Sequence, residues 1–213
     1  MTSTRIETLS LTDGRELRVT IAEPDSAVRG GLVVLHEARG MTEGVRSLVS
    51  SLAAEGWLAI APHLYDADRV HGDDIRDQVS KLSGDRLLED TDVAFVWLGQ
   101  QGVSADRMGV VGFDIGGTVA MVVAASRTIG AAVTVAGPGI LEPLSEGLPA
   151  LVDVASDLTC PWLGIYRDDD SEEVSKLRDA VISSETASDV VRFDVSSDEA
   201  WTRALNWFDA HMR

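Results

Sequence analysis

The stretch MGVVGFDIGGTVAMVVAAS, Met108 to Ser126, decides the fold. A short β-branched run leads into a glycine-rich turn and then into an apolar segment of small residues, which predicts a strand, a sharp turn and a helix. The central residue of the turn, Asp114, is expected in a strained backbone conformation. Gly112 and Gly116 lie two residues before and after it, where a Cβ would collide across the turn.

Length and composition limit the classes of protein that remain. The chain has 213 residues, 45% of them hydrophobic, which is enough for one α/β domain with a filled core. Its formal net charge of -17 argues against nucleic acid as a partner. The first residues lack the apolar core of a signal peptide and no apolar run is long enough to span a bilayer, so we expect a cytoplasmic protein without membrane contact. The single cysteine, Cys160, is expected to be a buried structural thiol.

Strand and helix patterns alternate along the chain. An Asp-Gly pair at 13–14 predicts an opening hairpin at one edge of the sheet. The alternation that follows predicts a single α/β domain over residues 1–213, with a mostly parallel sheet and helices on both faces. The predicted strands span residues 6–11, 16–22, 32–35, 57–61, 131–135, 162–166 and 190–195, besides the strand before the turn at Asp114. The predicted helices span residues 42–55, 74–82, 85–100, 172–183 and 198–212, the last capped by Asp198, and 137–159 is expected to be irregular with one short helix.

Four segments resemble the dienelactone hydrolase family of α/β-hydrolases, and the similarity covers nearly the whole chain. The resemblance implies an α/β-hydrolase fold and hydrolysis of small esters, lactones or acyl compounds. The segments are GLVVLHE at 31–37, LAAEGW with APHLY at 52–65, VGFDIGG at 111–117, and PWLGIY at 161–166 followed by Asp170.

The resemblance also implies where the site lies. It places an auxiliary carboxylate at Glu37 and the triad acid at Asp170 or a neighbour within 168–170. It further implies an oxyanion hole formed by two backbone N–H groups, those of Ala38 and Ile115.

The sequence departs from the family at the nucleophile and at the base. Asp114 stands where the family has cysteine. In the family a histidine-containing loop follows the last strand, but here Phe193 leads within a few residues to Ser197 and the start of the closing helix. His211, near the end of that helix, is expected to be a surface residue. The thiolate mechanism of the family is therefore excluded on residue types alone.

Two histidines at the carboxyl ends of predicted strands could replace the missing base. A carboxylate at position 114 could attack carbon and form an ester, but a base would then be needed to activate water. His63 is the candidate for that base. His36 is expected to make a structural hydrogen bond instead.

Three carboxylates, those of Glu37, Asp114 and Asp170, are expected around one pocket. Such a cluster would need either a raised pKa or a hard cation such as Mg²⁺ or Ca²⁺. The preferred alternative is that Asp114 accepts hydrogen bonds from the N-terminus of its own helix while the other two face water. We therefore assign no metal and no cofactor.

Three hypotheses about function follow. The preferred ones are a protein with a degenerate triad, catalytically impaired, that either binds a small anionic or carbonyl ligand or acts as a structural or regulatory subunit for a protein partner. The alternative is a divergent hydrolase of small esters, lactones or acyl compounds that uses Asp114 with a non-standard base.

Overall fold

The computed structural model describes residues 3–11, 14–64, 83–167 and 172–212. Within these residues eight strands form one sheet in the order β1-β2-β4-β3-β5-β6-β7-β8. The pairs β1-β2 and β2-β4 are antiparallel and the other five are parallel. The prediction of a mostly parallel sheet opened by an edge hairpin is confirmed. The strands are β1 (Arg5–Ser10), β2 (Glu16–Ala22), β3 (Gly30–Leu35), β4 (Trp57–Pro62), β5 (Met108–Phe113), β6 (Ala131–Val135), β7 (Trp162–Tyr166) and β8 (Ser188–Arg192).

Helices cover both faces of the sheet and divide the apolar core into two layers. The helices are α1 (Glu43–Ala54), α2 (Gly84–Gln100), α3 (Ile115–Ser126), the short α4 (Leu151–Val154), α5 (Glu172–Val181) and α6 (Asp198–His211). Helices α2, α3, α4 and α5 pack on one face, whereas α1 and α6 pack on the other. Helix α3 is buried over almost its whole length, as its all-apolar sequence requires. No helix within the described ranges combines the length and apolar character needed to cross a bilayer.

Three details of the sequence prediction need correction or fall outside the described residues. The cap predicted at Asp198 is wrong, because the hydroxyl of Ser197 accepts the N–H of Ala200 at 3.1 Å and Asp198 is the first helical residue. Strand β8 ends at Arg192 instead of residue 195, since the carboxylate of Asp194 accepts the N–H and hydroxyl of Ser196 and starts a turn. The helix predicted at 74–82 lies outside the described residues.

Cys160 is buried, as predicted, and its thiol lies 3.9 Å from the carbonyl oxygen of Ala124. Burial raises the pKa of this thiol to about 12. A thiol in that environment is not a nucleophile at neutral pH.

Candidate functional site

Asp114 occupies a sharp turn between β5 and α3. Its backbone angles are φ 52° and ψ -124°, a combination that costs a non-glycine residue conformational energy. A Cβ at Gly112 would overlap the backbone of Gly116, and a Cβ at Gly116 would overlap the carbonyl of Leu35. The two glycines therefore allow the turn to pack against β3, and the turn projects Asp114 at the carboxyl edge of the sheet.

The carboxylate of Asp114 contacts the loop after β3. The backbone N–H of Ala38 donates to Asp114 Oδ2 over 3.4 Å, a long hydrogen bond. The side chain makes no capping hydrogen bond to α3. The expectation that Asp114 accepts hydrogen bonds from its own helix is therefore wrong, because its carboxylate is directed across the site to one of the two N–H groups expected to form the oxyanion hole. The other such group belongs to Ile115, the first residue of α3, whose side chain is buried.

A cavity of about 270 Å³ lies beside this turn, on the face of the sheet covered by α1. The half-buried Glu37 lies on its wall, together with Phe113, the residue immediately before Asp114. Helix α1 provides the remainder of the wall. The lining residues are Glu37, Thr42, Gly44, Val45, Leu48 and Phe113.

His36 holds two strand ends together. Its ring is fully buried, Nδ1 lies 2.8 Å from the carbonyl oxygen of Glu37, and Nε2 lies 3.2 Å from the backbone N of Leu64. The carbonyl can only accept and the N–H can only donate, so the ring is neutral with its proton on Nδ1. Burial lowers the pKa of His36, which favours this neutral form. The expected structural hydrogen bond is confirmed.

His63 follows β4 and lies apart from the turn. Its Nε2 is 2.9 Å from the hydroxyl of Thr20, and its ring lines a second cavity of about 180 Å³ beside β2 and α2. Strand β3 separates β4 from β5, so the ends of these two strands lie roughly 10 Å apart. The two cavities share no lining residue among those described. The structure thus groups His63 with Thr20, and its role as a base for Asp114 remains a prediction.

Among the described residues, neither the predicted triad acid nor a catalytic histidine is found beside Asp114. Asp170 and the whole run 168–170 lie outside them. His211 packs against Trp207 near the end of α6, with ring centroids 4.4 Å apart. The connection between β8 and α6 contains five residues, 193–197, and none is histidine. Within the described ranges no three His, Cys, Asp or Glu side chains are grouped so that they could hold a metal ion.

A second strained residue, Ala136, was not predicted from the sequence. Phe113 pairs with Val135 across β5 and β6, so the next residue of each strand, Asp114 and Ala136, lie side by side. Ala136 also has φ 52°. The N–H of Asp114 donates at 3.0 Å to the carbonyl of Val135, the residue before Ala136. Gly137, Pro138 and Gly139 indicate a turn here, but they do not indicate a positive φ at Ala136.

A buried polar chain supports the first turn of α3. Trp162 Nε1 donates to Thr134 Oγ1 at 3.0 Å, and Thr134 Oγ1 donates to the carbonyl of Gly117 at 2.8 Å. All three residues are buried, so these bonds are protected from water. The chain fixes the position of the helix that begins directly after Asp114.

Comparisons with known proteins agree with this architecture. The model of the dienelactone hydrolase family matches residues 17–197. A Salmonella typhi protein that carries a provisional carboxymethylenebutenolidase name is 30% identical over 204 residues, which cover 83% of this chain and 76% of that protein. The crystal structure of a provisionally named dienelactone hydrolase from Klebsiella pneumoniae has a TM-score of 0.86 and 28% identity, covering 98% of this chain and 100% of that one. A dienelactone hydrolase from Anabaena variabilis, 18% identical with a TM-score of 0.77 over 100% of this chain and 99% of its own, shares the fold.

Proposed function

Because the chain belongs to the dienelactone hydrolase family, we propose that it is a family member that binds a small molecule beside the turn at Asp114 without hydrolysing esters by the family's mechanism. The family match covers residues 17–197 and so includes the turn and its cavity.

The contact between Asp114 and Ala38 carries the proposal. In a hydrolase of this fold, oxyanion-hole N–H groups must be available to the developing charge on the substrate oxygen. Here the N–H of Ala38 already donates to a carboxylate of the protein itself. A substrate carbonyl would have to displace that carboxylate, and the negative charge that develops on its oxygen during attack would be repelled by Asp114.

The absence of a general base from the described neighbourhood of Asp114 supports the same proposal. Hydrolysis through an ester at Asp114 would require a group that activates water in the second step. Both ring nitrogens of His36 are engaged in structural contacts, and His63 lines a separate cavity. Among the described residues near the turn, none is therefore placed to activate water for hydrolysis of an ester on Asp114.

A second candidate function, carboxylate-based hydrolysis, is favoured by two observations. The strained backbone at Asp114 is present in this chain. Strain of about 1–3 kcal/mol persists only where the surrounding structure enforces it, and such strain is typical of active sites. Relatives also carry carboxymethylenebutenolidase names. In that case Asp114 would be the nucleophile and His63 the first base to examine.

The deciding experiment measures steady-state hydrolysis of activated esters, thioesters and lactones by the native protein and by Asp114→Ala. We expect the native protein to show no turnover above that of the variant. Circular dichroism and thermal unfolding of both proteins establish that each is folded. Turnover by the native protein that disappears in Asp114→Ala would overturn the proposal and establish the carboxylate-based hydrolase; a parallel His63→Gln variant would then test the base.

A further inference from the structure

The outer edge of β1 is open to a further strand. We propose that β1 pairs antiparallel with β1 of a second copy of this chain, about a two-fold axis at Ile6, and so forms a homodimer with one continuous sheet. Four strand spacings, roughly 19 Å, separate β1 from β5. This surface is therefore independent of the turn at Asp114 and of the proposed binding function.

The hydrogen bonds between β1 and β2 determine which backbone groups of β1 face outward. Leu11 continues the antiparallel register of these strands, and its N–H donates to the carbonyl of Arg15 at 2.9 Å. Alternate residues of an antiparallel strand direct their backbone groups to opposite sides, so the odd-numbered residues of β1 bond β2. The N–H and C=O groups of Ile6, Thr8 and Ser10 therefore face away from the sheet.

These outward groups are accessible. β1 is the end strand of the sheet, and within the described residues no hydrogen bond from outside the β1-β2 ladder reaches them. The side chain of Ile6 is 58% exposed, and Thr8 and Ser10 are exposed as well. An unpaired strand edge with an exposed apolar side chain is a template on which another chain can add a strand.

The opposite edge of the sheet, at β8, is protected. The N–H of Phe193, the residue after β8, donates to the carbonyl of Tyr166 in β7, so odd-numbered residues there bond β7 and Val190 faces outward. The carbonyl of Val190 accepts a hydrogen bond from Arg178 Nη2 of α5 at 2.9 Å. A side chain on the edge carbonyl blocks addition of a strand. The docking edge is therefore β1.

Charge selects the register of the pair. The outward residues are even-numbered, so a symmetric pair can be centred at Arg5, Ile6, Glu7 or Thr8. Centres at Arg5 or Glu7 set like charges directly opposite each other, and a centre at Thr8 sets Glu7 opposite Leu9. A centre at Ile6 sets each Arg5 directly opposite Glu7 of the second copy. Opposite charges across a strand pair stabilise it and like charges destabilise it, which favours the centre at Ile6.

The side chains at this centre complement each other. Ile6 meets Ile6 of the second copy, so an exposed apolar side chain of each chain becomes buried. Arg5 bonds Glu7 through Nε at 2.6 Å and Glu23 through Nη2 in its own chain. A guanidinium has five N–H donors, so donors remain for Glu7 of the second copy. The paired segment is short, and we expect a weak dimer with a Kd on the order of 100 µM.

Analytical ultracentrifugation over a concentration series measures this dimer. The ionic strength is kept at about 0.15 M, because repulsion between two chains of net charge -17 is then screened beyond about 8 Å. We expect a reversible monomer–dimer equilibrium. Ile6→Lys should raise the Kd about tenfold or more, since it sets two lysines against each other at the axis. Ile182→Lys, the same substitution at an isoleucine that is 75% exposed and lies after α5, should leave the Kd unchanged.

Two charge variants test the register. Arg5→Glu alone sets carboxylates opposite each other, and Glu7→Arg alone sets guanidinium groups opposite each other, so each variant should be monomeric. An equal mixture of the two variants should form a heterodimer, because each chain then meets the opposite charge in the other at both positions. Circular dichroism and thermal unfolding of each variant establish that it is folded.

Three results would overturn the inference. A native protein that stays monomeric throughout the concentration series has no such dimer. A dimer that Ile6→Lys leaves intact is formed by another surface. A mixture of the two charge variants that stays monomeric excludes the register centred at Ile6. Hydrolysis is measured in a separate assay, so each of these results leaves the proposed function as it stands.

Discussion

The backbone N–H of Ala38 donates to the carboxylate of Asp114 across the carboxyl edge of the sheet. The two residues are 76 positions apart in sequence and belong to loops after neighbouring strands, β3 and β5. A donor that could stabilise a substrate oxyanion is thereby engaged by a side chain of the protein. Replacement of Asp114 would release this donor.

Replacement of Asp114 by glycine and by alanine separates backbone strain from the side-chain contact. Both variants lose the hydrogen bond to Ala38, but only alanine retains the cost of φ 52°. We expect Asp114→Gly to have a free energy of unfolding about 1 kcal/mol higher than Asp114→Ala, because relief of strain exceeds the greater entropy of glycine in the unfolded chain. Urea denaturation of the two variants measures the difference. Equal stabilities, or a more stable alanine variant, would show that the turn relaxes.

Gly112→Ala and Gly116→Ala should both be severely destabilised. The new methyl group would overlap backbone atoms of Gly116 in one case and of Leu35 in the other, and neither backbone can yield without moving the turn. We expect a loss of about 3 kcal/mol or more, or failure to fold. The measurement is the midpoint of urea unfolding.

Gly99→Ala provides the control for these substitutions. The methyl group at this helical position would have the Met108 Cε as its nearest neighbour at 3.6 Å, an ordinary van der Waals contact. We expect this variant to gain up to about 1 kcal/mol from helix propensity. A similar loss in all three variants would mean that the clash in the turn is not the cause.

Protonation of His36 should lower the free energy of unfolding as the pH falls. Its pKa in the folded protein is lowered by burial, while in the unfolded chain it lies near 6.5. The unfolded chain therefore binds the proton more readily, so the contribution of neutral His36 is fully present above about pH 6.5 and is lost as the pH falls below it. Protonation would also set an N–H against the N–H of Leu64.

Unfolding free energies of the native protein and His36→Gln between about pH 8 and pH 5 isolate this contribution. We expect the stability of the native protein to decline more steeply on acidification than that of the variant, by at most about 1.4 kcal/mol for each pH unit. Taking the difference between the two curves removes the contribution of the carboxylates, which titrate in both proteins. If the unfolding free energies of the two proteins changed in parallel with pH, His36 would not be a neutral buried histidine in the folded protein.

The sequence predicted most of the fold because the signals involved are local. Strands β6 and β7 were predicted at their observed limits, since each is an apolar run bounded by Gly130 or Pro161. Strand β8 was extended too far because the turn that ends it depends on a side-chain hydrogen bond of Asp194. Local patterns do not reveal such a bond.

The site was less predictable because its contacts join distant segments. The spacing of the glycines around Asp114 indicated the strained turn. The resemblance to the dienelactone hydrolase family indicated the backbone N–H of Ala38 as an oxyanion-hole donor. Neither could show that the Asp114 carboxylate would reach Ala38 instead of the first turn of α3. The positive φ of Ala136, which lies beside Asp114 in the sheet, was also missed, because no local signal reports that pairing.

The two hydrogen bonds that link Trp162, Thr134 and Gly117 should stabilise each other. Thr134→Val removes one acceptor and one donor while keeping a similar shape, leaving two buried groups without their present partner. We expect a loss of about 2–3 kcal/mol, because unpaired buried polar groups retain their desolvation cost. Trp162→Phe removes the donor at the other end. A double-mutant cycle of the two should give a coupling energy of about 1 kcal/mol, whereas strictly additive losses would mean that the two bonds act independently.

Asp114→Cys should restore the nucleophile of the family without restoring hydrolysis. A thiol at this turn needs a base to form thiolate and to activate water, and the connection 193–197 contains no histidine. With an activated ester we expect at most one equivalent of acyl transfer and no steady-state turnover. Acylation is assignable to position 114 by mass spectrometry of the digested protein, because burial raises the pKa of Cys160 to about 12 and the native protein serves as the control for that thiol. Multiple turnovers by Asp114→Cys would contradict this expectation and would reveal a functional base near the turn.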